Sequence, residues 1–246
     1  MPISPNQGST AGGTVVTITG VNLAGATAVR FGTRLATITA NTPTSITVVS
    51  PSGSGAVNVT VTTAGGTSNP LPFYYIGAPF KQSISPISGP STGGQSVTIN
   101  GTGLYTASSV AFGSNTAVPT VVSDGQITVV TPSGTAGSVS VSVTTAGGTN
   151  NGFTYTYFDA PTLTSVIPAQ GPASGGTSVT LIGTALTSTS SVTFDGNPAN
   201  FTVINGSVVS ATAPAGTVGT VDVTVTTDGG SATAAGVYTY LAGPGI

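Results

Sequence analysis

Ser-Thr-Ala-Gly-Gly-Thr-Val-Val-Thr-Ile-Thr-Gly, residues 9–20, decides the fold because it comes back twice. It returns as Ser-Thr-Gly-Gly-Gln-Ser-Val-Thr-Ile-Asn-Gly at 91–101 and as Ala-Ser-Gly-Gly-Thr-Ser-Val-Thr-Leu-Ile-Gly at 173–183. Within each copy a glycine pair breaks the chain, and the alternation of apolar and hydroxyl side chains after it has the two-residue period of a half-buried strand. Further on, Val57, Val59 and Val61 reappear as Val139, Val141 and Val143 and again as Val221, Val223 and Val225, a step of 82 residues. Solenoid units run roughly 20 to 50 residues, so a period this long describes a whole domain written three times.

Composition points the same way. With 36 Gly, 17 Pro and abundant Thr, Ser and Val, the chain favours strands and tight turns over helices. Charged residues are only 3% of the total: Arg30, Arg34 and Lys81 against Asp124, Asp159, Asp195, Asp222 and Asp228. The polar faces are therefore hydroxyl faces. A mean hydropathy of +0.37 and regular Val, Ile, Leu and Phe positions supply each repeat with a core and argue against a disordered linker. Cysteine is absent, so packing and backbone pairing carry stability. No apolar run approaches the roughly 20 residues of a spanning helix, and Met1-Pro2-Ile3-Ser4-Pro5 lacks the basic start and apolar block of a secretory signal. The expectation is a soluble chain that does not insert into a membrane.

The second repeat, read closely, predicts strands at 97–100, 110–112, 118–122, 127–130, 139–145 and 153–157, with a turn at Gly113-Ser114-Asn115. Six or seven short strands in about 80 residues fit two packed antiparallel sheets. At these residues the chain resembles a known family. The order Ile-Ser-Pro, Gly-Gly-Thr before a Val-Thr-Ile strand, Gly-x-x-Leu, Val-x-Phe-Gly, Thr-Pro-Ser-Gly, Val-x-Val-x-Val-Thr-Thr-x-Gly-Gly and a closing Tyr resembles the IPT/TIG family of immunoglobulin-like domains. Matching positions include Pro5, Pro86 and Pro168; Gly13, Gly94 and Gly176; Leu23, Leu104 and Leu186; Phe31, Phe112 and Phe194; and Pro51, Pro132 and Pro214. The third repeat departs by placing Asp195 where the others have Gly32 and Gly113. The resemblance implies an all-β chain of three tandem β-sandwich domains, 1–78, 79–160 and 161–246. It leaves function open, because the family includes receptors, transcription factors, bacterial surface proteins and accessory modules of carbohydrate enzymes.

The junctions Tyr75-Ile76-Gly77-Ala78-Pro79 and Tyr157-Phe158-Asp159-Ala160-Pro161 have almost no slack, and a proline in each favours an extended, stiff connection. An elongated rod is expected, with Tyr75, Phe80, Tyr157 and Phe158 either closing their own cores or packing between neighbours. The tail Tyr240-Leu241-Ala242-Gly243-Pro244-Gly245-Ile246 repeats the junction pattern. Counted from Pro244 through Ile246 and on from Met1 to Pro5, the two termini join in the seven-residue register that separates Pro79 from Pro86 and Pro161 from Pro168. One reading is a head-to-tail contact involving Met1, Pro2, Ile3, Leu241, Pro244 and Ile246, which would propagate into an open filament; the other is a gene built from duplicated units.

Catalysis lacks its materials. Without His, Cys or Glu there is no Ser-His-Asp triad, no thiolate and no usual zinc site, and the five Asp fall at unrelated repeat positions. Neither an enzyme nor a cofactor is expected. Asp195-Gly196-Asn197 reads as a turn rather than a calcium site, and Gly12-Gly13, Gly65-Gly66 and Gly147-Gly148 read as hairpin turns rather than phosphate loops. Three basic residues give no nucleic-acid footprint. Arg30 and Arg34 read as a solvated edge, with a specific carboxylate contact as the alternative. Tyr105, unique to the second repeat, is the candidate stacking platform for a sugar.

The function expected from the sequence is a non-enzymatic structural or interaction protein, extracellular or on a cell surface. It would self-assemble head-to-tail into a fibre or serve as a rigid stalk, with itself as partner and strand edges little protected by charge. A module binding a surface glycan or protein receptor and a decoration protein of a phage or secretion particle are the alternatives.

Overall fold

The computed structural model describes residues 2–243. Its chain forms two compact units: Met1–Ser85 with Val97–Val129 and Ser140–Phe153, and Pro86–Ser96 with Val130–Val139 and Thr154–Ile246. No helix occurs among the described residues, and so none is long and apolar enough to cross a membrane.

The first repeat, wholly in the first unit, shows how the sequence builds a sandwich. Its strands are β1 (Ile3–Ser4), β2 (Gln7–Ser9), β3 (Val15–Thr19), β4 (Ala28–Phe31), β5 (Arg34–Leu35), β6 (Thr37–Asn41), β7 (Ser45–Val49), β8 (Gly55–Thr63), β9 (Gly66–Thr67) and β10 (Leu71–Ile76). One sheet runs β1-β3-β7-β6; the other runs β2-β10-β8-β4-β5, with β9 paired to β8. Alternation places Val16 and Ile18 of β3, Ile46 and Val48 of β7, and Val59 and Val61 of β8 in one buried cluster with Leu23, Phe31 and Phe73. Phe73 meets Phe31 and Tyr75 edge-on, with ring centroids 4.9 and 5.2 Å apart. The pairing of β2 with β10 is parallel, so the segment just after the start of the repeat lies beside its closing strand.

The third repeat, wholly in the second unit, repeats this plan. Its sheets run Thr162–Ile167, Ser178–Thr184, Val208–Thr212, Asn200–Asn205, and Gln170–Pro172, Gly230–Leu241, Gly219–Thr227, Ser191–Phe194, Asn197–Pro198. The second repeat has the same pair of strand orders. In all three a tyrosine near the end of the closing strand donates its hydroxyl to a proline carbonyl: Tyr75 to Pro51 at 2.8 Å, Tyr157 to Pro132 at 2.8 Å and Tyr240 to Pro214 at 2.7 Å. Burial raises the pKa of each of these hydroxyls.

Two local expectations change. The strand predicted at 118–122 is found at Thr120–Ser123, and a further strand, Asn115–Ala117, begins at the last residue of the predicted turn and belongs to the other sheet. Pro119, which has no N–H to donate, lies where the chain changes sheets. Gly12 and Gly13 do not close a hairpin: at φ of 82° each, they turn the chain from β2 in one sheet to β3 in the other. Gly65-Gly66 and Gly147-Gly148 do close hairpins, and Asp195 and Gly196, with φ of 49° and 79°, form the expected turn.

Candidate assembly interface

The expected junctions are built from backbone seated on glycine. In the first unit, the chain leaves β10 and enters Phe80–Ser85, which pairs with Ser96–Thr102. The Gly77 carbonyl lies against the α-carbon of Gly147, where a β-carbon would collide with it. The Phe80 carbonyl lies in the same way against Gly101. Asn150 adds a hydrogen bond, Nδ2 donating to the Pro79 carbonyl at 2.6 Å. Two residues on, Lys81 is buried; its Nζ donates to the Val141 carbonyl at 2.8 Å and sits 5.1 Å from the Phe153 ring centroid. Burial pulls the ammonium pKa below its ordinary value.

The second unit contains the same device. The Asp159 carbonyl lies against Gly229 and the Thr162 carbonyl against Gly183. Leu163, in the position of Lys81, packs on the core of the third repeat. Side chains reinforce this seat: Ser91 Oγ donates to Asp159 Oδ1 at 3.0 Å and Ser88 Oγ to Asp228 Oδ2 at 3.4 Å.

In the first repeat the equivalent place is an open groove of about 360 Å³, whose lining includes Val21, Leu23, Val61, Gly65, Asn69 and Leu71. The equivalent of Gly147 and Gly229 is Gly65, and a β-carbon there would meet only Thr63 Oγ1, at 3.6 Å. Gly65 has no positive φ requiring glycine. Val21, at the position of Thr102 and Thr184, is 75% exposed, whereas those two pair with Phe80 and Thr162.

Ile3 pairs with Ile18 and packs on its own core, and Pro2 accepts a hydrogen bond from Thr19 N at 3.1 Å. Leu241 ends the last strand opposite Pro172, accepts a bond from Ala173 N at 3.0 Å and is partly exposed. Met1, Pro244 and Ile246 lie outside the described residues. Of the aromatic residues at the joints, Tyr75 and Tyr157 close their own cores and Phe80 is exposed.

Tyr105, the sugar candidate, is 73% exposed on a loop pinned by Asp124, whose carboxylate accepts from Gly103 N at 3.1 Å and Tyr105 N at 3.3 Å. Arg30 and Arg34 hold their own loops. Arg30 Nη1 donates to the Thr33 carbonyl at 3.0 Å; Arg34 Nη1 donates to the Ser52 carbonyl at 2.9 Å and to Ser52 Oγ at 2.7 Å. Sequence reasoning missed the roles of Lys81, Gly101, Gly147, Gly183 and Gly229. Each of these glycines recurs at its repeat position, but Gly147 and Gly229 fall in hairpin turns that account for a glycine on their own, so the recurrence carried no separate signal for a seat.

Comparison with known proteins identifies the fold. The IPT/TIG domain profile matches residues 1–75, 79–157 and 161–240. Plexin-A3 of Rattus norvegicus and of Mus musculus are each 29% identical over 213 residues, covering 75% of this chain and 11% of theirs. The extracellular region of plexin A4 superimposes with a TM-score of 0.50 at 22% identity, covering 93% of this chain and 22% of that one. The chain thus spans about a tenth of the length of the curated relatives it matches. With profile matches over nearly all of its length, the chain belongs to the IPT/TIG domain family, in three tandem copies.

Proposed function

We propose that this protein is a non-catalytic structural and interaction protein, extracellular or on a cell surface, whose domains 1–78, 79–160 and 161–246 form a stiff stalk that associates head-to-tail with its own kind. The observation that carries the reading is the linker seat, made twice with carbonyls packed against glycine α-carbons. A chain that fixes its junctions through backbone contact resists swivelling, which suits a spacer or fibre better than a flexible tether. The likeness to plexins supports the extracellular placement, and the absence of His, Cys and Glu supports a role without catalysis. Small-angle scattering tests the stalk: an elongated particle is expected, and a compact one overturns it. Electron microscopy across a concentration series tests self-association, with end-to-end strings expected.

A second reading, a glycan-binding adhesion module, is favoured by one observation. Tyr105 presents an exposed ring on a loop fixed by Asp124, as a stacking platform requires. Retention on a polysaccharide panel, lost in Tyr105→Ala with the fold intact, would put this reading first.

A further inference from the structure

What all three repeats share maintains the fold, so a residue that one repeat replaces calls for a different explanation. Arg34, Asn115 and Asn197 occupy one place: each stands opposite the phenylalanine that ends the neighbouring strand, Phe31, Phe112 and Phe194. Two of the sandwiches form with asparagine there, so the fold does not require a cation. In the first repeat that cation lines a groove of about 580 Å³ between the 31–34 turn and the 51–54 loop. The whole lining falls within Thr10–Tyr75, and the volume is that of a small-ligand site, about 300–1,000 Å³.

Both walls are held before any ligand arrives. Arg30 ties the turn through the Thr33 carbonyl at 3.0 Å, and on the other side Gly53 N donates to the Thr10 carbonyl at 3.0 Å. Ser52 takes both bonds of Arg34 Nη1, on its carbonyl at 2.9 Å and its Oγ at 2.7 Å, which orients the guanidinium and leaves its Nε–Nη2 edge. Among the described residues no carboxylate pairs with that edge. Burial raises the pKa of the Tyr75 hydroxyl and the Arg34 charge opposes the rise, as a cation beside the groove does. Phe31, Val57 and Tyr75 give the lining ring and methyl surface, and Thr10, Thr33 and Ser54 give it hydroxyls.

We propose that this groove binds a uronic acid residue of an acidic polysaccharide, with the sugar carboxylate on the Nε–Nη2 edge of Arg34. The planar fork of an arginine meets a carboxylate through two parallel bonds. One cation balances a singly charged carboxylate better than a phosphate, whose charge approaches about −2. The hydroxyls of the lining suit those of a sugar ring and the apolar surface suits its C–H face, whereas a peptide carboxylate would leave the hydroxyls unused. This ligand goes beyond the readings above: it binds in a different repeat from Tyr105 and needs no head-to-tail contact. A single exposed ion pair is weak and screened by salt, so affinity is expected in the millimolar range.

The test titrates the isotope-labelled full chain, followed by heteronuclear NMR, with tetrasaccharides of polygalacturonate, alginate and hyaluronan, and with the methyl ester of the first as a neutral control. At least one acidic tetrasaccharide is expected to shift the amides of residues 31–34 and 52–57 saturably, less so at high salt, and the ester is not. Arg34→Asn, the residue of the other two repeats, should keep the fold and weaken binding at least about ten-fold, as loss of a charge-assisted pair requires. Arg34→Lys, which keeps the charge without the fork, should fall between, and Tyr105→Ala should bind as wild type does. If Arg34→Asn does not fold, the acid and ester compared on wild type decide the matter. No saturable shift with any acidic tetrasaccharide overturns the proposal and leaves self-association and the Tyr105 reading standing. Binding that survives Arg34→Asn, or an ester that binds as well as the acid, overturns the role of Arg34. Acetate or a peptide carboxylate that binds as tightly as the tetrasaccharide overturns the sugar.

Discussion

The third repeat carries two tyrosines, two residues apart on its closing strand, for which loss of the hydroxyl should have opposite effects. Tyr238 is fully buried, its ring 5.1 Å from Phe194 and from Tyr240, and its hydroxyl has no hydrogen-bond partner among the described residues. Burying a hydroxyl without a partner costs about 1–3 kcal/mol by mutational evidence. The first repeat has Phe73 in the same place, against Gly8 as Tyr238 is against Gly171, so the site accommodates a phenyl ring. Tyr238→Phe should stabilise the domain by about 1 kcal/mol, the lower end of that range, because the vacated volume is not refilled. Tyr240→Phe removes the 2.7 Å bond to the Pro214 carbonyl and should destabilise by about 0.5–1.5 kcal/mol. For a domain of about 80 residues, 1 kcal/mol moves Tm by roughly 4–8 °C. Calorimetry of the full chain should show the transition of the third repeat moving up in one variant and down in the other. If Tyr238→Phe lowers Tm as much as Tyr240→Phe, the hydroxyl of Tyr238 is satisfied in solution and the reasoning fails.

Gly147→Ala and Gly229→Ala should each cost about 1–3 kcal/mol through displacement of the linker carbonyl, while Gly65→Ala should change stability by less than about 0.5 kcal/mol; chemical denaturation compares the three. Lys81→Met should change the pH dependence. With its pKa lowered in the folded chain, Lys81 binds fewer protons folded than unfolded, so wild-type stability rises as pH climbs through the lowered value toward 10.5, and the variant should lack that rise. The measurement belongs between pH 7 and 10, because the raised tyrosines bind more protons folded than unfolded above that range and make stability fall in both proteins. Tyr105→Ala should leave unfolding within about 0.5 kcal/mol of wild type, since its ring is exposed.

The sandwiches were readable in the sequence because the two-residue alternation at Val57, Val59 and Val61 and its copies is a local signal of one buried face. Two buried strands of the second repeat, Ser109–Phe112 and Gln126–Val130, fall within a residue or two of expectation for the same reason. The short strands Gln7–Ser9, Ser88–Pro90 and Gln170–Pro172 were not foreseen, since three residues joined in parallel to a distant strand leave no periodicity to read. The seats were hidden by a different cause. A glycine required by a carbonyl from a residue 70 positions away, as Gly147 is by Gly77, looks in one dimension like any turn glycine. Tyr105 and Lys81 both break the repeat, but only the exposure expected of Tyr105 could be read from its loop, whereas the burial of Lys81 depends on a carbonyl 60 positions away.

The parallel pairing of each repeat's leading segment with its closing strand has a mechanical meaning. Beyond the first strand of each repeat, tension reaches this ladder through the start of the leading segment and leaves through the end of the closing strand, at opposite ends of the same short run of pairs. Pulling therefore loads the rungs together, in shear, instead of opening them one after another. The tyrosine hydroxyl bonded to proline in each repeat ties the loaded strand to the loop behind it, a further link to break before the core is exposed. A chain built this way holds its length under a steady pull until a whole domain yields, and its lifetime under load is set by that one rupture rather than by the equilibrium stability of the fold.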